Sequence, residues 1–108
     1  MPYDPQMLKG VLTPLLLLLL DGQEDYGWSV VTRLQEAGFT DLNEGTVYPA
    51  LTRLEKTGLL TSTLRPSSSG PARKYYLTTP KGRDEHERLL AAWADLVRAV
   101  DTILEENR

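Results

Sequence analysis

The sequence predicts a mainly α-helical fold with one small β-hairpin, and three observations carry that reading. Apolar residues recur at three- and four-residue intervals in four separate segments. Between residues 59 and 78 the pattern changes to the alternation and turn chemistry of two paired strands. Gly22, Gly38 and Gly58 then stand where the first three helical patterns stop.

Residues 6–20 read as the first helix, ended by Asp21-Gly22. Thr13-Pro14 has the form of an N-cap followed by a proline at the first helical position, so two short pieces and one kinked helix both fit. Lys9 and Asp21 bracket the leucine run, leaving far fewer than the roughly 18 to 20 apolar residues of a membrane span. This is a core helix, and no membrane partner is expected.

Residues 26–37 form the second helix, with Val30, Val31 and Leu34 inward and Phe39 closing the following turn against the core. The third spans residues 43–57, with Asn43 as N-cap and Gly58 just past the end. Val47, Ala50, Leu51 and Leu54 share its inner face, while Gly45, Pro49, Thr52, Arg53 and Lys56 point away and Tyr48 lies on the flank. Pro49 removes one backbone hydrogen bond, so a distorted first turn is expected. The short connection between these two helices matches a helix-turn-helix.

Residues 59–65 alternate, with Leu60 and Leu64 on one face and Thr61, Thr63 and Arg65 on the other. Residues 72–78 are the partner strand, and Pro66-Ser67-Ser68-Ser69-Gly70-Pro71 reads as a mobile loop between them. Thr79-Pro80 repeats the N-cap signal and opens a last helix running almost to Arg108. On it Leu89, Trp93, Leu96, Val100 and Ile103 are spaced four, three, four, three, and Leu90, Val97 and Leu104 widen the stripe. That is a heptad seam. Leaving it in water forgoes roughly 1.5 to 3 kcal/mol per large side chain, which points to a second copy of the chain as its partner. Packing back on the first helix of the same chain is the alternative, and both can hold in part. The whole is a winged helix-turn-helix over residues 1–79, followed by a C-terminal dimerisation helix over residues 80–108.

With 108 residues the chain is one domain in size, and 41% hydrophobic and 25% charged residues are ordinary for a folded soluble protein. The absence of cysteine excludes disulfides and thiolate metal sites. Met1-Pro2-Tyr3-Asp4-Pro5 lacks the basic start of a secretory signal, so a cytoplasmic location is expected. The net charge of −3 hides a division. Between Thr52 and Arg83 seven basic residues face one acid, Glu55, whereas the rest of the chain holds five basic and fourteen acidic residues. A basic middle on an acidic body is the footprint of a nucleic-acid partner, although a merely solvated face can have the same composition.

Enzyme chemistry finds no support. The one histidine, His86, stands in Asp84-Glu85-His86-Glu87, and Leu90 occupies the place where a metalloprotease helix needs a second histidine. No glycine-rich phosphate loop follows a strand, and His86 reads as a solvated helix start. No catalytic residue, metal or cofactor is expected.

The third helix suits insertion into a major groove through Thr46, Tyr48, Pro49, Thr52, Arg53 and Lys56. Arg53 can fork two hydrogen bonds to a guanine edge or hold a phosphate, and Lys56 suits a phosphate. Tyr48 can offer its hydroxyl to a phosphate or serve as a core-edge tyrosine. In the wing, Arg65, Arg73 and Lys74 are candidates for phosphate or minor-groove contacts.

An ordered set of motifs gives the chain a family. Leu8-Lys9-Gly10 precedes the leucine-rich helix, Tyr26-Gly27 opens the second, and Glu44-Gly45-Thr46-Val47-Tyr48-Pro49 lies in the third. Arg53-Leu54-Glu55, Gly58-Leu59, Gly70-Pro71-Ala72-Arg73-Lys74-Tyr75-Tyr76 and Leu77-Thr78-Thr79-Pro80-Lys81-Gly82-Arg83 follow. In these pieces, across nearly its full length, the chain resembles the PadR family of bacterial transcriptional regulators, in its short subgroup with one helix after the wing. The resemblance implies a homodimeric winged-helix protein, usually a repressor, that binds double-stranded DNA. A two-fold dimer calls for a near-palindromic operator. The resemblance also admits a small planar aromatic effector at the dimer interface, where Trp93 would meet it, though a tryptophan on such a seam also serves as plain core. From another class, a winged helix that binds protein through its hairpin remains the competing reading.

Overall fold

The computed structural model describes residues 3–108. Its elements are α1 (Pro5–Leu19), β1 (Asp25–Tyr26), α2 (Gly27–Glu36), α3 (Glu44–Lys56), β2 (Leu60–Ser67), β3 (Gly70–Thr78) and α4 (Pro80–Glu106). α1 is one continuous helix with Pro14 buried inside it. The Asp4 carboxylate caps it, accepting from the Gln6 and Met7 amides at 2.9 and 3.2 Å.

Leu8, Leu12, Leu16, Leu17 and Leu20 of α1 and its end meet Val30, Val31 and Leu34 of α2 and Val47, Ala50, Leu51 and Leu54 of α3. Leu42, Leu60 and Tyr76 complete this buried cluster, with Phe39 packed against it. The helix stops expected at Gly22, Gly38 and Gly58 all take positive φ, the backbone state only glycine adopts without strain. Asn43 occupies the N-cap position of α3, but its side chain bonds none of the orphan amides. Its backbone carbonyl receives the Thr46 and Val47 amides instead, at 3.1 and 2.9 Å. Pro49 leaves α3 a single unbroken helix.

The hairpin is larger than the sequence suggested. Three antiparallel strands pair in the order β1-β3-β2. The two-residue β1 sets Asp25 opposite Tyr76 and Tyr26 opposite Tyr75. Residues 66–71, expected as a loop, are strand except for the turn at Ser68 and Ser69. The register breaks between Arg65 and Ser67, so Pro66, which has no amide to donate, falls at the irregularity. Leu64 shares a strand face with buried Leu60, yet it is 67% exposed. It lies opposite Lys74 on the arm of the hairpin that extends past the core.

Thr78 joins the sheet to α1. Its amide donates to the Leu20 carbonyl (2.9 Å) and its hydroxyl to that of Leu17 (2.8 Å), occupying acceptors the helix end leaves open. The Thr79 hydroxyl accepts from the Gly82 amide at 3.0 Å and caps α4. The first turns of α4 belong to the body, where Gly82 and His86 are buried. His86 is therefore no solvated helix start. Its Nε2 lies 3.5 Å from an Asp21 carboxylate oxygen, beside Arg83, which holds the same carboxylate at 2.9 Å. From Leu90 onward every residue of α4 is exposed. The 27-residue helix is about 40 Å long, and the molecule extends over 57 × 32 × 19 Å.

Candidate nucleic-acid interface

Burying Val47, Ala50, Leu51 and Leu54 turns the opposite side of α3 to solvent. Thr46, Tyr48, Pro49, Thr52, Arg53 and Lys56 are all exposed there. Among the described residues neither Arg53 nor Lys56 has a carboxylate partner. Both cations are therefore available to a polyanion.

Tyr48 is packed on one side and open on the other. One face of its ring rests on Gly27, where an added Cβ would lie 2.6 Å from the Tyr48 Cε1. The glycine of Tyr26-Gly27 is thus fixed by the approach of α3 to the start of α2. The rest of the ring stays open, at 40% exposure for the residue. Burial pushes the Tyr48 phenol above its ordinary value, with the Glu44 charge adding to it, so the hydroxyl stays a proton donor at neutral pH. The Thr52 hydroxyl donates back to the Tyr48 carbonyl at 3.1 Å and keeps its lone pairs for an outside donor.

The wing cations are not equivalent. Lys74 Nζ lies 2.7 Å from Glu55 Oε1 on α3, and the Ser62 hydroxyl donates to the other oxygen of the same carboxylate. Lys74 and then Ser62 hold the Glu55 carboxyl below its ordinary value, and Glu55 in turn raises Lys74. The one acid in the basic middle of the chain is therefore a brace from α3 to both strands of the wing. Arg65 pairs with Glu24 and lies 5.7 Å from the Tyr75 ring centroid. Arg73 has no carboxylate partner among the described residues; its guanidinium sits 4.4 Å over the Tyr26 ring.

An open groove of about 620 Å³ runs between the start of α2, α3 and β3. Tyr26, Trp28, Tyr48, Thr52, Arg73 and Lys74 form its walls, above Leu51 and Tyr76. Trp28, 57% exposed, is the residue sequence reasoning passed over. Its signal was a tryptophan at the start of α2, off the face made by Val30, Val31 and Leu34. The dimerisation candidates lie elsewhere: Leu90, Trp93, Leu96, Val97, Val100, Ile103 and Leu104 are exposed along α4, and Leu89 is half-buried.

Four helices, a three-stranded antiparallel sheet and a solvent-facing third helix beside a hairpin define the winged-helix class of DNA-binding fold. Comparison with known proteins narrows this. Residues 15–88 match the Transcriptional regulator PadR-like family. The chain is similar to a PadR-like transcriptional regulator of Bacillus cereus, at 41% identity and a TM-score of 0.80, covering 92% of this chain and 96% of that one. It is also similar to a Streptococcus transcriptional regulator, at 38% identity and a TM-score of 0.81, covering 93% and 98%. A PadR family regulator of Eggerthella lenta superposes with a TM-score of 0.86 at 34% identity, covering 93% and 87%. The chain belongs to the PadR-like family, a family of transcriptional regulators rather than enzymes. No helix among the described residues is long and apolar enough to cross a membrane.

Proposed function

We propose that the protein is a sequence-specific, homodimeric transcriptional repressor that reads a near-palindromic operator in double-stranded DNA. The observation that carries the reading is the exposed face of α3, whose Arg53 and Lys56 have no carboxylate partner among the described residues. Thr46, Tyr48, Pro49, Thr52, Arg53 and Lys56 enter the major groove, and Arg65, Arg73 and Lys74 approach the flanking backbone. The division at residue 79 is functional: the body before it meets DNA, and the helix from Pro80 pairs the subunits.

Two apolar stripes support the dimer. Trp93, Leu96, Val97, Val100, Ile103 and Leu104 leave 38 to 58% of each residue exposed on α4, while Met7 and Leu18 are 76% and 49% exposed on α1. Stripes of this extent find a partner in water, and a second copy covers both. A small planar aromatic molecule seated against Trp93 in that seam is the proposed release signal. Quenching of tryptophan emission by such molecules, with loss of DNA binding, tests it; an unresponsive signal refutes it.

Fluorescence anisotropy on the duplex upstream of the protein's own gene, at several salt concentrations and against a random duplex, tests the main reading. Each neutralised phosphate contributes about −0.9 to the logarithmic salt slope, so a steep slope is expected. Failure to bind either duplex at low salt would favour a protein-binding winged helix instead.

A further inference from the structure

The groove beside α3 contains features that the recognition face does not use. Trp28 leaves more than half its surface in water, yet it lies on neither of the apolar stripes assigned to the dimer. Arg73 is the wing cation without a carboxylate partner among the described residues, and it stands on an aromatic ring instead. A guanidinium lying over a ring keeps its N–H edges free for a bidentate acceptor. The neighbouring carboxylates are already engaged. Asp25 is held by Arg33 at 3.1 Å and by the Ser29 hydroxyl at 2.7 Å, and Glu55 is held by Lys74 and Ser62. The groove therefore presents one uncommitted positive charge between aromatic walls.

We propose that this groove takes one sugar–phosphate strand of bound DNA, with Arg73 holding a phosphate and the Trp28 ring packing on the adjacent deoxyribose. The proposal rests on the DNA-binding reading above. Its occupant follows from continuity and charge. Tyr48 and Thr52 belong both to the groove and to the outward face of α3, so the two surfaces are one. A helix in a major groove about 12 Å wide is flanked by both backbone strands, and the strand on the wing side must cross the opening between α3 and β3. An indole covers the apolar face of a sugar without selecting a base, so Trp28 supplies affinity and register rather than sequence preference.

The chain has two tryptophans, so Trp93→Phe leaves Trp28 as the sole indole reporter. Acrylamide quenching of its emission is measured with and without saturating duplex from upstream of the protein's own gene, while anisotropy of labelled DNA reports binding independently. Protection of Trp28 on saturation is expected. In the otherwise native chain, Trp28→Phe should abolish that DNA-dependent change while Trp93 keeps its own emission. Trp28→Ala should weaken binding several-fold with the salt slope unchanged, whereas Arg73→Ala should flatten the slope by about one. Binding by anisotropy with Trp28 quenching unchanged would overturn the groove and leave the DNA reading standing. Absence of binding to any duplex at low salt would overturn the DNA reading itself. Protection by benzoate but not by DNA would overturn the strand assignment and make the groove a small-ligand site.

Discussion

Replacing Gly82 by alanine adds one methyl group at the most crowded glycine in the fold. The new Cβ would lie 2.1 Å from the Leu59 carbonyl oxygen, 2.8 Å from Thr78 Cγ2 and 3.0 Å from the Leu59 carbonyl carbon. Two of these three atoms, the nearest included, are backbone, so moving a side chain cannot relieve the clash and the first turn of α4 must shift. That movement pulls on the Thr79 hydroxyl, which donates to the Gly58 carbonyl at 2.7 Å while capping α4. Overpacking of this kind costs about 1 to 3 kcal/mol, against which alanine gains up to about 1 kcal/mol of helix propensity. The balance is a net loss of up to about 2 kcal/mol, which lowers Tm by up to roughly 15 °C in a domain of this size. Gly10 is the control, since it lies in α1 with nothing within 4 Å of a Cβ. There the same substitution should stabilise by about 0.5 to 1 kcal/mol. Thermal unfolding followed by circular dichroism, at one protomer concentration because a dimer's Tm depends on it, compares the two. Equal Tm shifts of the same sign would refute the assignment of Gly82 to close packing.

Arg53→Ala should cost about 1 to 3 kcal/mol of specific binding and relax preference at one base position; anisotropy on single-base operator variants would show unchanged preference if Arg53 held only a phosphate. Glu55→Gln removes a negative charge beside the proposed DNA face, yet it should weaken binding because the wing loses its brace. Tighter binding by this variant would mean the carboxylate only repels DNA. The Glu55 carboxyl is held below its ordinary value, so the brace is fully present above the usual glutamate range and is lost as pH falls through the lowered folded-state value. Protection factors of the β2 and β3 amides, corrected for the pH dependence of intrinsic exchange, should fall in that acidic window and stay constant at neutral pH. Val100→Asp places a charge on the α4 stripe and should yield monomers in sedimentation velocity, with operator affinity falling as the two half-sites decouple. A dimer that survives it would remove α4 from the interface.

Periodicity made most of the fold legible because the apolar positions of α1, α2 and α3 each point to one shared core. The exposed face of α3 was legible for the same reason: once Val47, Ala50, Leu51 and Leu54 are buried, the direction of Arg53 and Lys56 follows. What escaped depends on contacts between distant segments. Two residues are too few to show alternation, so β1 was invisible until Tyr26 met Tyr75 across the sheet. Pro66, Ser67 and Gly70 carry turn chemistry, yet pairing overrides it almost to the tip of the hairpin. Local polarity made His86 look solvated, and only the packing of α4 against the end of α1 buries it beside Asp21. Lys74 and Arg73 are adjacent in the chain and both basic, but partners 19 and 47 residues away give one a carboxylate and the other an aromatic ring.

The rooting of α4 by its first turns has a mechanical consequence. Its solvent-exposed portion from Leu90 to the helix end spans about 25 Å, so a tilt of about 10° at the root swings the tip by about 4 Å. In the proposed dimer each recognition face is carried on such a lever, and the root angle becomes the gauge that sets their separation. Half-sites one turn apart need centres about 34 to 36 Å from each other, so a few ångströms decide whether both faces seat at once. On that proposal Gly82, Arg83 and His86, which fix the root angle, would set the length of operator that both faces can span.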